Sequence, residues 1–303
     1  MELSNIDECA NLTTGEYFIQ SLWKYGQEKV PVHFHFVESE IDCDTLTVFL
    51  HGARSKPIFP YYNGISLSRK HPSSHFLLIS DPLLSLDIDM KLSWYTSPHN
   101  EQQIFEVISQ IVENIKVSKS VKKILFLGGS GAGLALMNLN KFFSGAFFFI
   151  WNPQTIIHDY YPGHVRKWKE VTKLSHNSDK YESPPPSLVN LNSKQFFSNQ
   201  LNKFFILQLY CDSYHIEKHM TPFCKEMLGH DNFLLDDKFS EYVLPNILIH
   251  IGRWAEPMIV DGKERGHIAV SGTLISQLIG DFIESEDPFE QFDTKYFGNW
   301  NIT

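Results

Sequence analysis

A glycine-rich hexapeptide with a central serine is the segment of this 303-residue sequence best suited to chemistry. Gly128 to Gly133 reads GGSGAG and directly follows the apolar run ILFL, so we expect a buried strand that turns there into a helix. A dinucleotide-binding turn needs GxGxxG, and a phosphate-binding loop needs a lysine after GxxxxG. Leu134 stands where the first motif needs its third glycine and where the second needs its lysine, which excludes both.

A third use of such a turn is to present a nucleophilic serine. The bend is then so tight that the residues two before and two after the serine must be small. Gly128 and Ala132 satisfy this requirement, with alanine in place of the usual second glycine. The turn would lift the Ser130 hydroxyl off the sheet edge and aim the free N–H groups of the next helix at a reacting carbonyl oxygen. We interpret Ser130 as a nucleophile and the Gly131 N–H as an oxyanion donor; a turn that only packs a helix on a strand is the alternative.

An activated serine needs a histidine base and an acid that orients it, and in this topology both follow strands, the acid first. Asp212 comes just after the apolar run KFFILQLY, residues 203–210. His267 lies in the polar loop VDGKERGHIAVSG, between the run PNILIHI and the last helical segment. The sequence therefore predicts the triad Ser130, Asp212 and His267, with Asp231 and Asp236 as alternative acids.

The other histidines fit different roles. His250 lies inside an apolar strand, which favours a core position. His215 and His219, four residues apart on one helical face, suit a metal pair, but no third ligand stands at convincing spacing. We therefore expect no metal, and we keep His215, His219 and His250 as the alternatives to His267 as the base.

The second oxyanion donor should come from the loop after the first parallel strand. That loop reads Leu50-His51-Gly52-Ala53-Arg54, and its His-Gly pair lets the backbone turn sharply. We predict the N–H of Gly52 or Ala53 as this donor, a plain strand-ending turn being the alternative. Arg54 follows in the same loop, where it would bind a phosphate or lie in solvent.

The elements that must position these residues follow from hydrophobic periodicity. Continuous apolar, β-rich runs are typical of strands covered on both faces by crossover helices. They occupy residues 46–51, 75–80, 122–128, 145–151, 203–210 and 245–251. Residues 16–23 and 30–38 predict an antiparallel pair at one edge, and helical spacing recurs over 103–117, 134–142, 216–228 and 270–283. The prediction is an α/β fold with a mostly parallel sheet of about eight strands and helices on both faces.

One interval departs from this alternation. Residues 153–201 contain no clear strand and are longer than a plain connection needs. We interpret them as a lid inserted into a single domain that spans residues 1–303. Its basic residues form either a solvated helix face or an anion-binding wall beside the site.

Composition limits the classes of function. The chain is 43% apolar with a net charge of −9, so we expect no nucleic-acid partner. Its four cysteines are far apart and form no CxxC pair, which fits a reducing compartment. The N-terminus shows no secretory pattern and no apolar run reaches about 20 residues. We expect a cytoplasmic protein that does not span the membrane, with a peripheral position at its inner face as a variant.

From Leu46 to Ile283 the chain resembles the α/β-hydrolase fold, through the FLHG loop, the GGSGAG turn, Asp212 and the GHI segment at His267. Within that fold it resembles the bacterial capsular polysaccharide O-acetyltransferases and the acetyltransferase of the accessory secretion system. The segments WNPQT, residues 151–155, and DSYHIEKHMTPF, residues 212–223, carry this closer resemblance. It implies transfer of an acetyl group from acetyl-CoA to a sugar hydroxyl through acetyl-Ser130.

This resemblance implies two ligands, acetyl-CoA as co-substrate and a polysaccharide or oligosaccharide acceptor, and a homo-oligomer is compatible with it. An acceptor that must outcompete water favours an aromatic, polar-walled cleft. The candidate substrate-binding residues are Arg54, Trp151, Asn152, Tyr160, Trp168 and His215. Aromatic residues of the insertion would equally well form a small core of their own. A serine esterase or thioesterase, and a non-catalytic carbohydrate-binding scaffold, are the alternative functions.

Overall fold

The fold is described from a computed structural model. It describes residues 1–20, 24–25, 28–96, 103–174, 201–228, 240–244, 246–252, 258–260 and 263–285. Most of the predicted insertion, the alternative acids Asp231 and Asp236, and the segment 286–303 lie outside these ranges.

Strands make up the centre of the described chain. They are β1 Glu2–Leu3, β2 Gly15–Ile19, β3 Lys24–Tyr25, β4 Glu28–Lys29, β5 Val32–Val37, β6 Thr45–Leu50, β7 His75–Ile79, β8 Lys123–Gly129, β9 Phe147–Trp151, β10 Lys203–Leu209, β11 Ser240–Leu244, β12 Ile247–Gly252, β13 Met258–Val260 and β14 Lys263–Arg265. Ten of them form one sheet in the order β1-β2-β5-β7-β6-β8-β9-β10-β12-β11, while β3 with β4 and β13 with β14 form small antiparallel ribbons.

Helices cover both faces of this sheet. The α-helices are α1 Ile65–Ser68, α2 Gln103–Ser118, α3 Gly131–Leu139, α4 Pro162–Leu174, α5 Ser213–His215, α6 Thr221–Leu228 and α7 Gly272–Glu284. A π-turn, Ile216–Met220, joins α5 to α6. Short 3-10 turns lie at Ile6–Asn11, Pro82–Ser85, Asn140–Phe142 and Ile157–Asp159. Among the helices of the described ranges, none combines the length and apolar character that crossing a bilayer requires.

The predicted pattern of elements is confirmed. Each of the eight predicted strands is present, β2 and β5 pair antiparallel, and β7, β6, β8, β9, β10 and β12 run parallel to one another. The sheet has two more strands than the sequence predicts, β1 and the antiparallel edge strand β11. Both lie at sheet edges. The two residues of β1 are too few to show a period.

Alternation along each central strand divides the core into two layers. In β8, Ile124 and Phe126 face the layer that contains α2 and α3, whereas Leu125 and Leu127 face the layer that contains α7. The register places Phe126, Phe148 and Phe204 side by side on three neighbouring strands, and their rings stack at 4.7 and 4.8 Å. These three phenylalanines pack against one another in the layer that contains α2 and α3.

The parallel strands all end at the same edge of the sheet. Ser130 follows β8, Asn152 follows β9, and Asp212 follows β10, with β8, β9 and β10 adjacent in the sheet. In open α/β sheets this carboxyl edge is where ligands bind. The fold therefore gathers the predicted chemical residues from distant parts of the sequence.

Candidate active site

Ser130 lies in a strained turn between β8 and α3. Its φ is 57° and its ψ is −124°, a conformation that costs a non-glycine residue free energy. Three backbone hydrogen bonds hold it: Ser130 N–H donates to Trp151 O at 3.0 Å, and Ser130 O accepts from the N–H groups of Gly133 and Gln154 at 3.0 and 3.1 Å. The turn has the geometry that the GGSGAG segment predicts for a presented nucleophile.

The glycines of the turn are required by close packing. A Cβ at Gly129 would lie 1.9 Å from Trp151 Nε1, and one at Gly128 would lie 2.9 Å from the Ala132 Cβ. Because Gly128 has no side chain, the methyl group of Ala132 has room. This explains why alanine is accepted where the usual pattern has glycine.

A continuous chain of hydrogen bonds joins Ser130, His267 and Asp212. His267 Nε2 lies 3.1 Å from Ser130 Oγ, and His267 Nδ1 lies 3.0 Å from Asp212 Oδ2. Because a carboxylate only accepts, Nδ1 carries the proton and Nε2 is free to accept from the serine hydroxyl. A Cβ at Gly266 would lie 2.1 Å from Asp212 N, so glycine is needed for the His267 loop to reach the acid.

Asp212 is buried, with 4% of its side chain exposed, and its charge is held by two imidazoles. Burial alone would raise the pKa of Asp212, but hydrogen bonds from His215 and His267 outweigh it and bring that pKa well below the ordinary value. Asp212 is therefore ionised at neutral pH and can orient His267 and stabilise its protonated form.

His215 is the second imidazole on Asp212. Its Nδ1 lies 3.0 Å from Asp212 Oδ1, and its ring stacks on His267 with centroids 4.0 Å apart and an interplanar angle of 9°. His215 is fully buried, and burial lowers its pKa. The expectation that His215 binds substrate is therefore corrected: it packs against the base and occupies the second oxygen of the acid.

We expect His215→Phe, which keeps a stacking ring but loses the donor, to slow phosphonylation of Ser130 about tenfold, as one hydrogen bond to a charged group would. His215→Asn, which restores a donor at a similar position, should recover part of the rate. The measurement is the labelling rate by a phosphonofluoridate between pH 5 and 9, with thermal unfolding as the fold control. Equal rates for the wild type and the Phe variant would contradict this role.

The two predicted oxyanion segments lie on either side of Ser130. Gly131 opens α3, where the first N–H groups have no partner within the helix. A Cβ at Gly52 would lie 3.3 Å from Ser130 Cβ, which places the other loop against the nucleophile. His51 Nε2 accepts from Asp81 N–H at 3.0 Å, so its Nδ1 is protonated and donates to Gly52 O at 2.6 Å. Since C=O and N–H point in opposite directions in a trans peptide, this bond holds the Ala53 N–H away from His51.

Arg54 differs from the sequence expectation. It is 2% exposed, and its guanidinium donates to the backbone oxygens of Ile58, Asp87 and Ile88 at 2.9, 2.8 and 2.6 Å. These bonds tie two loops together. The side chain therefore neither lies in solvent nor is available for a phosphate.

Three of the expected substrate-binding residues are buried and make contacts within the fold. Trp151 is 8% exposed and packs over Gly129. Asn152 accepts from Leu209 N–H at 2.9 Å and donates to Ile268 O at 2.9 Å, which connects β9 to β10 and to the His267 loop. Trp168 on α4 is fully buried and donates to Thr96 O at 3.1 Å. The described part of the insertion thus packs against the main core.

Gln154 is a second side chain, besides His267, that hydrogen-bonds to the nucleophile. The Tyr160 hydroxyl lies near Ser130 and Gln154, and burial raises its pKa. Gln154 Nε2 donates to Ser130 Oγ at 2.7 Å, and Trp94 Nε1 donates to Gln154 Oε1. Sequence reasoning missed the role of Gln154, although its place just beyond β9 at the carboxyl edge is a signal that could have found it.

The two other candidate bases, His250 and His219, are both buried. His250 on β12 is 1% exposed, which confirms its core position, and burial lowers its pKa to about 3. His219 is also buried, with a pKa lowered to about 3 by burial and by His215, and its Nδ1 accepts from Thr155 N–H at 3.3 Å. In the described ranges, the one grouping whose ligand atoms are close enough for a metal is Asp212, His215 and His267, whose contacts are the hydrogen bonds given above.

Comparison with solved structures shows the fold. The capsule O-acetyltransferase of Neisseria meningitidis serogroup A superposes with a TM-score of 0.58 at 15% identity, over 88% of this chain and all of the other. A variant of that enzyme solved in complex with CoA gives 0.56 at 13% identity, over 84% and 95%. A bacterial heroin esterase gives 0.51 at 12% identity, over 90% and 84%. The chain has the α/β-hydrolase fold, as the sequence predicts.

No protein-family model matches the sequence. No curated protein matches it either.

Proposed function

We propose that this chain is a serine-dependent acetyltransferase that moves an acetyl group from acetyl-CoA to a hydroxyl of a capsule-type polysaccharide. The observation that carries the proposal is the hydrogen-bond chain from Ser130 through His267 to Asp212, built on a strained turn. A serine hydroxyl is a weak nucleophile unless a base removes its proton, and this arrangement supplies the base and its orienting acid.

In the first half-reaction, Ser130 Oγ attacks the thioester carbonyl carbon while its proton passes to His267 Nε2. The N–H of Gly131, with that of Gly52 or Ala53, stabilises the negative carbonyl oxygen. The C–S bond then breaks and the CoA sulfur takes the proton from His267. In such sites, base assistance contributes about 10²–10⁴-fold and one oxyanion donor about 10²–10³-fold.

In the second half-reaction, the acceptor hydroxyl loses its proton to His267 as its oxygen attacks the acetyl carbon. The C–Oγ bond breaks and Ser130 Oγ regains a proton from His267. The structural similarity to a capsule O-acetyltransferase supports a sugar hydroxyl as the acceptor, and its relative in complex with CoA supports CoA as the donor.

The surroundings of the site offer room for a donor. A cavity of about 270 Å³ is lined by Asp89, Lys91, Leu92, His164 and Lys167, among others. Leu92 also packs against Gly131, since a Cβ there would lie 2.5 Å from Leu92 Cδ1. Leu92 thus lies between the cavity and the oxyanion side of Ser130. Lys91 suits a phosphate of CoA, whereas Lys167 pairs with Asp87 at 2.6 Å.

Hydrolysis is the second candidate function. The His267 side chain is 31% exposed, so water can reach the base that would activate it. An acetyl-serine in contact with water would be released as acetate, which is the reaction of an esterase or a thioesterase.

Incubation with [¹⁴C]acetyl-CoA tests the proposal. We expect Ser130 to become acetylated. The label should then pass to a hydroxyl of a capsule-type polysaccharide faster than to water. Ser130→Ala should show neither step. Release to water alone, at a rate that no polysaccharide changes, would identify an esterase. A wild-type protein that shows no acetylation, transfer or hydrolysis above the Ser130→Ala background would favour the non-catalytic scaffold.

A further inference from the structure

We propose that Gln154 is a catalytic residue that donates a hydrogen bond to Ser130 Oγ and assists its departure from the acyl group. This inference rests on the proposed function only in that Ser130 is the nucleophile. It concerns a side chain that contacts the reacting atom and is not a member of the triad.

The orientation of the Gln154 amide is determined by its other neighbour. Trp94 Nε1–H can only donate, so the atom that faces it must be the amide oxygen. The NH₂ group therefore faces Ser130, and Gln154 Nε2 lies 2.7 Å from Ser130 Oγ. The opposite orientation would place two donors against each other at Trp94.

Burial and a backbone contact keep this donor in place. Gln154 and Trp94 are both fully buried, so water does not compete for either end of the amide. The Gln154 N–H also donates to Ser130 O at 3.1 Å, which connects the two residues through their backbones. An amide held in this way needs no reorganisation when charge develops on Oγ.

The surroundings give the serine hydroxyl both a hydrogen-bond acceptor and a hydrogen-bond donor. A hydroxyl donates once and accepts twice. His267 Nε2 accepts from it and Gln154 Nε2 donates to it. The Gln154 amide is therefore a donor to the oxygen on which negative charge appears.

The effect should differ between the half-reactions. During acylation Oγ gives electron density to the carbonyl carbon, so a donor on Oγ gives no assistance. During deacylation the C–Oγ bond breaks, its electron pair stays on Oγ, and the proton arrives from His267 Nε2. The Gln154 N–H bond strengthens as that charge develops, which accelerates this step alone.

p-Nitrophenyl acetate separates the two steps, because the burst of nitrophenol reports acylation and the steady state reports deacylation. We expect Gln154→Met, which has a similar shape and no donor, to acylate within about threefold of the wild-type rate. Its deacylation should slow by about 10–100-fold, as the loss of one hydrogen bond to a charged group implies. Mass spectrometry should then show accumulated acetyl-Ser130.

Two further variants separate catalysis from folding. Trp94→Phe frees the amide to turn over and should slow deacylation less than Gln154→Met. Gln110→Met, at an exposed position of α2, should change neither step. Equal acyl-enzyme lifetimes in Gln154→Met and the wild type would overturn the inference, as would an equal fall in both steps with a lower melting temperature.

Failure of the proposed function gives a different result. A wild-type protein that reacts with p-nitrophenyl acetate but not with acetyl-CoA would refute the transferase, while the role of Gln154 would still be measured. A wild-type protein that is not acylated by either reagent would refute both.

Discussion

His267→Ala should reduce the rate at which a phosphonofluoridate labels Ser130 by about 10²–10⁴-fold, the contribution of a general base. The reason is geometric, because His267 Nε2 lies 3.1 Å from Ser130 Oγ and is the acceptor for its proton. The rate should be followed by intact-protein mass spectrometry at pH 7. Ser130→Ala provides the unlabelled reference.

A matched control is His71→Ala. His71 hydrogen-bonds to Ser276 Oγ at 2.8 Å and contacts none of the triad residues, so its removal should leave labelling within about twofold. The other candidate bases are poorly placed to substitute for His267: His215 is bound to Asp212, while His219 and His250 are buried with lowered pKa values. Labelling at the wild-type rate in His267→Ala would show that the base assignment is wrong.

Asp212→Asn should lower the labelling rate by about 10⁴-fold, the effect of presenting an amide to the imidazole of a triad. The wild-type carboxylate accepts from both His215 and His267. An amide has one oxygen and one NH₂ group, so it cannot accept from both rings in the same way. Where the NH₂ group faces His267 Nδ1, the proton moves to Nε2 and that nitrogen cannot accept from Ser130.

The same variant should show the pH dependence of stability. Because the pKa of Asp212 is below its ordinary value, the ionised carboxylate stabilises the folded state above about pH 4, the ordinary pKa of aspartate. That contribution decreases as the pH falls through the folded-state pKa. The free energy of unfolding of the wild type should therefore exceed that of Asp212→Asn at pH 7. Urea titrations at lower pH should show this difference shrinking toward pH 2. A difference that grows on acidification would contradict the charge assignment.

Local patterns in the sequence determined the strands, the turn and the order of the triad. Continuous apolar runs marked β6 to β12 apart from the edge strand β11, because buried parallel strands are apolar on both faces. The turn at Ser130 was evident because tight backbone contacts admit only small neighbours, and these are consecutive in the chain. Asp212 and His267 were found because each follows a strand that ends at the same edge of the sheet.

Only the tertiary structure decided which other polar side chains serve the site. Arg54 donates hydrogen bonds to backbone oxygens more than thirty residues away, and Trp168 donates one to the backbone oxygen of Thr96. Gln154 acquires its orientation from Trp94, sixty residues earlier in the chain. The partners of a buried polar group come from long-range packing, and the residue type alone does not indicate whether its donors will face a ligand, a backbone oxygen or the nucleophile.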